Sequence, residues 1–369
     1  MREYLLICII AGVVTFVTTP AIRWAAIRFG AVTAVRGRDV HSVPIPRLGG
    51  VAMLLGFGAA ELVASRLPYL SGLFDGGGQH QLISVLIGAA LITALGAVDD
   101  FRGLDPITKL AGQILAAGVM AYGGVLLVSL PIANTYTVLP EPVLVGLTIF
   151  IVLAMTNAVN FADGLDGLAA GFVAIAATAF FLWAYTYAQL GGGPGRVFSG
   201  AAFISAATIG CCLGFLPHNF HPAKLFMGDA GALLLGLLVA ASTISMTGNF
   251  DPSQASSTHR ATFAFWLPIV LPLLILALPV LDVILAIIRR GPKFWRPDAK
   301  HLHHRMLQMG HPHRRAVLLL YLWSASVAMG VLSFSYVSAP IASTILVVML
   351  AVSFLLTWGL PRWSSTRRL

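Results

Sequence analysis

The chain has 369 residues, of which 58% are hydrophobic and only 10% are charged, and its formal net charge is +9. Its mean hydropathy of +0.87 lies far above that of soluble domains, and its apolar runs reach the length of about 20 residues that crosses a bilayer as a helix. These values exclude a soluble globular domain and indicate a polytopic membrane protein built from helices.

In chain order, eleven apolar runs predict eleven transmembrane helices in one all-α membrane domain over residues 1–369. The runs lie at approximately 4–25, 48–66, 81–98, 108–129, 142–158, 168–190, 198–216, 230–248, 262–288, 316–337 and 339–360. The ninth run contains Pro268, Pro272 and Pro279, so we expect it to kink.

Basic residues predict the orientation of these helices. With the amino terminus outside, 19 of the 23 Lys and Arg residues fall on the cytoplasmic side, which then also holds the carboxyl terminus. This bias satisfies the positive-inside rule. The basic face has two interpretations: it sets topology and contacts anionic lipid, or it forms an electropositive entrance for a phosphate-bearing substrate.

Acidic residues gather in the loops predicted to be cytoplasmic. Five such loops are expected to form the site, at about 26–47, 99–109, 157–168, 217–229 and 289–315. Six of the 14 acidic residues lie in three of these loops: Asp99, Asp100, Asp105, Asp163, Asp166 and Asp229. Carboxylates at the edge of a bilayer are costly unless a cation completes them, so the pattern predicts a metal-dependent active site.

Asp99 and Asp100 stand at the end of the third predicted helix. Neighbouring side chains on a helix point about 100° apart, so we expect divided roles, with metal or proton chemistry on one and orientation on the other. A carboxylate at a dry membrane edge also suits a general base. The alternative is an acidic pair that only binds Arg102 or Lys109.

Asp229 precedes the small-residue helix AGALLLG, and Phe226 lies three residues before it. Mg²⁺ favours carboxylate oxygens and usually shares its shell with substrate phosphates, which suits one Asp from each of several loops. Phe226 could stack on a planar base. Alternatively, Asp229 only caps the eighth helix and Phe226 only packs at the interface.

The loop after the fifth helix carries four polar residues at intervals of three: Asn157, Asn160, Asp163 and Asp166. This spacing places side chains on one helix face or around a tight turn. Their amides and carboxylates suit hydrogen bonds to a sugar or base and to the waters of a metal. Helix capping explains one acid, but not two Asn and two Asp within ten residues.

The segment after the ninth run contains His301, His303, His304 and Arg305. A zinc site needs partner ligands at a defined spacing, and no HExxH or CxxC motif accompanies these histidines. Imidazole and guanidinium groups donate hydrogen bonds to anions, so phosphate contact is preferred over zinc. An interfacial basic segment without catalytic function is the main alternative.

Taken together, GAVDD followed by PITKL, NAVNFADGLDGLAAG, KLFMGDAGALLLG and HLHH resemble the polyprenyl-phosphate N-acetylhexosamine-1-phosphate transferase family. The resemblance covers the chain from about His41 to Arg315. HLHHR and PIPRLGG are similar to the branch that uses UDP-N-acetylglucosamine, whereas the branch that uses UDP-N-acetylmuramoyl-pentapeptide has HHHFE-type and TPTMGG-type sequences. Eleven predicted helices also fit the first branch, since the second has ten.

The resemblance implies roles for the matching residues. Asp99 matches the proposed base, Asp100 its neighbour near the metal and phosphates, and Asp229 the metal ligand. Metal binding is therefore expected at Asp99, Asp100 and Asp229, and catalysis at these three with His301, His303 and His304. Substrate binding is expected at Asn157, Asn160, Asp163, Asp166, Phe226, Lys109 and Arg305.

The resemblance also implies the reaction and its setting. The expected enzyme uses Mg²⁺, for which Mn²⁺ can substitute, and moves a sugar 1-phosphate from UDP-GlcNAc to undecaprenyl or decaprenyl phosphate with release of UMP. It would lie in the bacterial plasma membrane, with a cytoplasmic site, no nucleic-acid partner and a role in cell-envelope polysaccharide synthesis. Sequence leaves open a homodimer, the exact UDP-sugar and a one-step or two-step displacement.

Two other classes of membrane protein explain part of the pattern. A cation-coupled transporter also buries Asp and Asn, but its site should lie near the midplane between inverted repeats, and here the acids stand at helix ends without an evident repeat. An intramembrane zinc hydrolase would use the histidines, but the required ligand spacing is absent.

Overall fold

A computed structural model describes residues 1–32, 44–74, 77–127, 130–132, 135–137, 140–190, 199–247 and 311–365. Within these ranges the protein is a bundle of ten α-helices with one short antiparallel hairpin. The first eight helices are α1 Arg2–Phe29, α2 Gly49–Ala64, α3 Gly77–Arg102, α4 Pro106–Tyr122, α5 Glu141–Ala162, α6 Leu168–Leu190, α7 Gly200–Asn219 and α8 Gly228–Thr247. They are followed by α9 His313–Ser333 and α10 Ala339–Ser365, while a 3₁₀ turn covers Leu70–Phe74 and the strands are β1 Leu130–Ile132 and β2 Thr135–Thr137.

Eight of the described helices are long and apolar enough to cross a membrane, which confirms a helical, multi-pass protein. Two predicted spans are shorter helices: α2 has 16 residues and α4 has 17. The hairpin after α4 was not predicted, because a strand of three residues is too short to show a period. The ninth predicted span, 262–288, lies outside the described residues.

The helices alternate in direction, so that the ends of α1, α3, α5 and α7 meet the beginnings of α2, α4, α6, α8 and α9. Hydrogen bonds join these ends, for example from the Phe226 amide to the Pro46 carbonyl. We call this end of the bundle the site end. At the opposite end the Glu3 carboxylate accepts from the amides of Tyr69 and Leu70. Which end faces the cytoplasm stays a prediction.

Helix α8 is the centre of the bundle and packs against α2, α3, α5 and α7. Small residues allow the close contacts on which membrane helices depend. A Cβ atom on Gly96 of α3 would lie 2.4 Å from the Ala230 nitrogen of α8. The ends of α3 and α8 therefore approach backbone to backbone, and this contact brings their acidic residues together.

Candidate active site

Asp99 and Asp229 share one cationic side chain at the site end. The Lys109 Nζ atom lies 3.0 Å from Asp99 Oδ2 and also contacts Asp229 Oδ2. Asp99 stands in the last turn of α3, Asp229 in the first turn of α8, and Lys109 in the first turn of α4. Residues from three different helices thus form a carboxylate–ammonium–carboxylate cluster, which we call the lysine cluster.

The second oxygen of each carboxylate in the lysine cluster has its own donor. Asn160 Nδ2 donates to Asp229 Oδ1 at 2.8 Å, and the Leu104 amide donates to Asp99 Oδ1. These bonds fix the rotation of both carboxylates and leave their Oδ2 atoms directed at Lys109. Asn160 reaches Asp229 because α5 packs along α8.

Asp105 begins the helix that carries Lys109. Its carboxylate accepts from the amides of Ile107 and Thr108, both at 3.0 Å, which is the geometry of a helix N-cap. The Thr108 hydroxyl also donates to this carboxylate and lowers the pKa of Asp105. Asp105 is therefore a capping residue, as a position before proline suggests, and it lies outside the lysine cluster.

Asp100 faces away from Asp99, although the two are adjacent. Its side chain is fully buried and accepts from the Asp229 amide at 3.1 Å and the Ala230 amide at 3.2 Å. Arg47 Nη1 lies 3.6 Å from the same carboxylate. Asp100 thus caps α8, because it accepts hydrogen bonds from amides of the first turn that have no partner within the helix. Its predicted role as a metal ligand is untested, and its observed contacts hold Asp229 in place.

Gly228 makes the approach of Asp100 to α8 geometrically feasible. Its φ of +68° lies in the left-handed region, and a Cβ atom there would lie 2.2 Å from Asp100 Oδ2. Only glycine combines this backbone conformation with the space that the carboxylate needs. The glycine of the FMGD motif therefore serves the contact between α3 and α8.

Phe226 is held by the segment that precedes α2. Its amide donates to the Pro46 carbonyl at 2.9 Å, and its carbonyl accepts from the Gly49 amide at 3.0 Å. Between these bonds, Leu48 adopts a left-handed φ of 86°, which is costly for a residue with a branched side chain. The half-buried Phe226 ring is thus positioned at the site end, and its proposed stacking on a base stays a prediction.

Asn157 lies one turn before Asn160 on the same face of α5. Its Nδ2 atom donates to Gln113 Oε1 at 3.0 Å and to the Leu153 carbonyl at 2.8 Å. Gln113 is a buried residue of α4. Asn157 therefore ties α5 to α4 behind the lysine cluster, a contact that the three-residue spacing did not reveal.

Asp163 ends α5 and is half-buried. The pKa of Asp163 is raised to about 7, mainly by burial and in addition by the negative charges of Asp229 and Asp100. A carboxylate in this state binds a proton or a cation readily near neutral pH. Asp163 thus adds a third acidic group to the surroundings of the lysine cluster.

Asp166 belongs to a second cluster, which we call the histidine cluster. Its buried Oδ2 atom accepts from the Ala223 amide at 3.1 Å and lies 2.8 Å from His221 Nδ1. The His221 ring stacks on the His313 ring, with centroids 4.0 Å apart and planes inclined by 17°. Arg314 Nε donates to the His221 carbonyl at 2.8 Å, so the beginning of α9 is fastened to the loop after α7.

Potential ligand atoms of Asp166, His221 and His313 lie within 4.8 Å of one another, which raises the question of a metal. A metal binds imidazole in the plane of the ring, about 2.0–2.1 Å from the nitrogen. Nearly parallel stacked rings do not share such a point. The geometry therefore favours a hydrogen-bonded contact between loops over a zinc centre.

Asn219 extends this contact on the other side of the loop. Its Oδ1 atom accepts from the Gly167 amide and its Nδ2 atom donates to the Leu225 carbonyl, both at 3.0 Å. Tyr321 of α9 donates to the Gly167 carbonyl. Asn219 and His221 were not predicted from the sequence, although both lie in the HNFH segment just before the FMGD motif.

The structure brings Asp99, Lys109, Asn160 and Asp229 into direct contact and places Asp100 directly behind Asp229. Asp166 lies in the separate histidine cluster. The predicted His301, His303, His304 and Arg305 fall outside the described residues. The pairing with Lys109, which was the alternative for the Asp99–Asp100 pair, is observed at Asp99. Lys109 also contacts Asp229, which was not predicted.

Comparison with known proteins adds independent information. The family model for glycosyl transferase family 4 matches residues 82–247. The chain is 42% identical over 364 residues, covering 97% of itself and 88% of the relative, to a Mycolicibacterium smegmatis protein named decaprenyl-phosphate N-acetylglucosaminephosphotransferase. A Mycobacterium tuberculosis protein of the same name is 43% identical over 340 residues, or 90% of this chain and 83% of that protein.

A second group of relatives matches less of the chain. A Desulforudis audaxviator protein named phospho-N-acetylmuramoyl-pentapeptide-transferase is 34% identical over 264 residues, which is 64% of this chain and 74% of the relative. The similarity to the two proteins named decaprenyl-phosphate N-acetylglucosaminephosphotransferase thus extends over more of the chain and at higher identity.

Proposed function

The chain belongs to glycosyl transferase family 4, the polyprenyl-phosphate N-acetylhexosamine-1-phosphate transferases, and on this premise we propose that it transfers N-acetylglucosamine 1-phosphate from UDP-GlcNAc to a polyprenyl phosphate. The products are UMP and polyprenyl diphosphate N-acetylglucosamine. The observation that carries this proposal is the lysine cluster, where acidic residues of α3 and α8 converge on one cation at a helix end of a membrane protein.

The donor set of the lysine cluster fits Mg²⁺. Asp99 and Asp229 direct oxygen atoms at one cationic atom, and carboxylate oxygen is the ligand that Mg²⁺ prefers. We propose that these two residues hold the ion and that Mn²⁺ can replace it. When bound, the ion neutralises charge on the diphosphate of the sugar nucleotide.

Asp100 is better suited to positioning than to metal binding. Both of its oxygens accept from backbone amides of α8, and Arg47 balances its charge. It keeps the first turn of α8, and with it Asp229, at the end of α3. The proposed division is therefore that Asp99 and Asp229 face the substrates while Asp100 fixes their geometry.

Phosphoryl transfer depends mainly on alignment and charge neutralisation. An oxygen of the lipid phosphate attacks the β-phosphorus, which carries the sugar, and the bond from this phosphorus to the bridging oxygen of UMP breaks. The family resemblance assigns to Asp99 the acceptance of any proton that the lipid phosphate still carries, a role that its Oδ2 atom can fill only before the ion binds there. We assign to Lys109, whose ammonium contacts both carboxylates, the neutralisation of the negative charge that develops on the phosphate oxygens.

The remaining predicted residues surround the nucleotide in this proposal. Phe226 offers an aromatic face at the site end, and Asp163 and Asn160 offer polar groups beside Asp229. His301, His303, His304 and Arg305 are proposed to contact the diphosphate, as their resemblance to the family motif implies.

The setting follows from the membrane helices and the distribution of charge. We propose a bacterial plasma-membrane enzyme whose site end faces the cytoplasm, because UDP-sugars are cytoplasmic and the basic residues predict that orientation. Its partners are UDP-GlcNAc and a polyprenyl lipid, with decaprenyl phosphate suggested by the names of the two mycobacterial relatives. A homodimer is compatible with this proposal.

The test is a product assay with the purified full chain in detergent. UDP-GlcNAc, UDP-GalNAc and UDP-N-acetylmuramoyl-pentapeptide are supplied separately with decaprenyl phosphate, in Mg²⁺ or in EDTA. We expect UMP and a labelled lipid from UDP-GlcNAc with Mg²⁺, and neither product from the Asp99→Asn variant. Product only from the pentapeptide nucleotide would assign the other branch, and no product from any donor would reject the transfer itself.

A further inference from the structure

We propose that Lys109 is an internal counter-cation that occupies the metal-binding oxygens of Asp99 and Asp229 until a divalent ion displaces it, after which its ammonium turns to the sugar-nucleotide diphosphate. This inference rests on the proposed Mg²⁺-dependent transfer. Lys109 thus first contacts the two carboxylates, where it competes with the metal ion, and then the diphosphate.

The first step of the inference is that these carboxylates need a cation at all times. Asp99 and Asp229 have side chains that are only 14% and 24% exposed, and their Oδ2 atoms contact one Nζ atom. Two carboxylates this close and this poorly solvated repel each other strongly. Lys109, itself 20% exposed, removes that repulsion within the described part of the site.

The second step is that the lysine and the metal need the same oxygens. Asp99 Oδ1 is engaged by the Leu104 amide and Asp229 Oδ1 by Asn160. The two Oδ2 atoms, which converge on a common point, are the ones that contact Lys109. Nζ and a divalent ion therefore compete for one position.

The third step concerns where the displaced ammonium goes. Lysine carries its charge on a flexible four-carbon stem and binds phosphate as a point charge. With Lys109 alone, the two aspartates and the lysine carry a net charge of −1, and a divalent ion changes this to +1. An anionic diphosphate is thus attracted only after the ion binds, and the released lysine is beside it.

The experiment measures metal binding without any nucleotide. Mn²⁺ serves as the probe, with free Mn²⁺ followed by electron paramagnetic resonance in detergent-solubilised full chain, and Mg²⁺ added as competitor. We expect Lys109→Met to bind Mn²⁺ at least about tenfold more tightly than the wild type, since one charge at this distance shifts an ionic equilibrium by that order or more. Lys224→Met, which removes an exposed lysine at the site end, should leave Mn²⁺ affinity unchanged.

A second variant and a second measurement cover the case in which Lys109→Met unfolds without metal. Lys109→Gln removes the charge but retains a hydrogen-bond donor, and it should also bind Mn²⁺ more tightly. In thermal melts, Mg²⁺ should raise the melting temperature of either variant more than that of the wild type, because the uncompensated carboxylates gain most from the ion. Unchanged or weaker Mn²⁺ binding in both variants would overturn the proposal.

The role toward the diphosphate has its own measurement. In the wild type, UDP should increase the affinity for Mn²⁺. In Lys109→Met the increase in affinity should be smaller, because the ammonium that would contact UDP is absent. An equal increase would overturn the second half of the proposal. If the product assay above succeeds but neither Lys109 variant binds Mn²⁺ more tightly than the wild type, the counter-cation role of Lys109 is rejected and the proposed transferase function stands.

Discussion

The lysine cluster and the histidine cluster each place a carboxylate at the site end, yet they hold it in different ways. Asp229 is bound by an ammonium group and a side-chain amide, both of which can move. Asp166 is buried and bound by a backbone amide and by a His221 ring that is stacked on His313. A carboxylate with mobile donors can exchange them for a metal or substrate, whereas one with fixed donors supports the fold.

Adjacent residues show the same distinction. Asp99 faces Lys109, while Asp100 is buried against the amides of Asp229 and Ala230. Chemical identity and position in the sequence do not distinguish the two. The two aspartates differ in their hydrogen-bond donors, and we therefore predict different effects of substitutions in the two clusters.

The largest effect is expected from isosteric substitutions at matched positions of the two clusters. Asp229→Asn removes the charge that is proposed to bind the divalent ion and should lower the transfer rate by about 10³-fold or more. Asp166→Asn retains an oxygen that accepts from the Ala223 amide, so the rate should stay within about tenfold. UMP release measures both, and equal losses would contradict the distinction between the clusters.

A large effect on stability is expected at the contact between α3 and α8. Gly228→Ala places a Cβ atom at a left-handed φ and against Asp100, so it should cost at least about 2 kcal/mol in the free energy of unfolding. Gly103→Ala is the matched control: its φ of +67° is similar, but no atom lies within 4 Å of the added methyl group. It should cost only about 1 kcal/mol.

Thermal melts of both glycine variants in detergent provide the measurement. Gly228→Ala should also reduce transfer, because displacement of Asp100 disturbs Asp229. If Gly228→Ala has the same melting temperature as Gly103→Ala, the Asp100 side chain moves away from the added methyl group without loss of stability.

A smaller effect is expected when the histidine cluster loses one bond but keeps its ring stack. His221→Phe retains an aromatic ring beside His313 and removes the hydrogen bond to Asp166. We expect a lower melting temperature and a change in the KM for UDP-GlcNAc of up to about tenfold, with kcat little changed. Added Zn²⁺ should not alter the wild-type melting curve. If His221→Phe lowers kcat as much as Asp229→Asn does, His221 takes part directly in catalysis and the prediction is wrong.

The last prediction concerns a change of stability with pH. The pKa of Asp163 is raised from 3.8 to about 7, so the protonated form is favoured in the folded protein. Its stabilising contribution is fully present below pH 3.8 and is lost as the pH rises through about 7. In EDTA, Asp163→Asn should therefore melt at a higher temperature than the wild type at pH 8, and the difference should be clearly smaller at pH 5.

Magnesium offers a control for the pH experiment. A bound cation near Asp229 offsets the repulsion that raises the pKa of Asp163, so the difference between Asp163→Asn and the wild type at pH 8 should shrink. A difference that is the same at pH 5 and pH 8 would show that ionisation of Asp163 is not its cause.

Much of the fold could be predicted because apolar runs of membrane-crossing length are a strong local signal. Eight predicted spans match long apolar helices, whereas α2 and α4 are shorter than predicted because hydropathy does not show where a helix ends. The proline that follows Asp105 is typical of a turn, and the structure shows Asp105 as the N-cap of α4. The hairpin could not be predicted, since its pairing depends on only three residues in each strand.

Composition, hydropathy and motif order are properties of the chain alone, and they were sufficient to predict the class of protein, the family and the acidic loops. Which side chains meet depends on the packing of the helices, which pairs Lys109 with Asp99 and Asp229, Asp100 with the amides of α8, and Asp166 with His221. A carboxylate takes its function from the donors around it, and here these donors come from separate helices and loops that only the fold brings together.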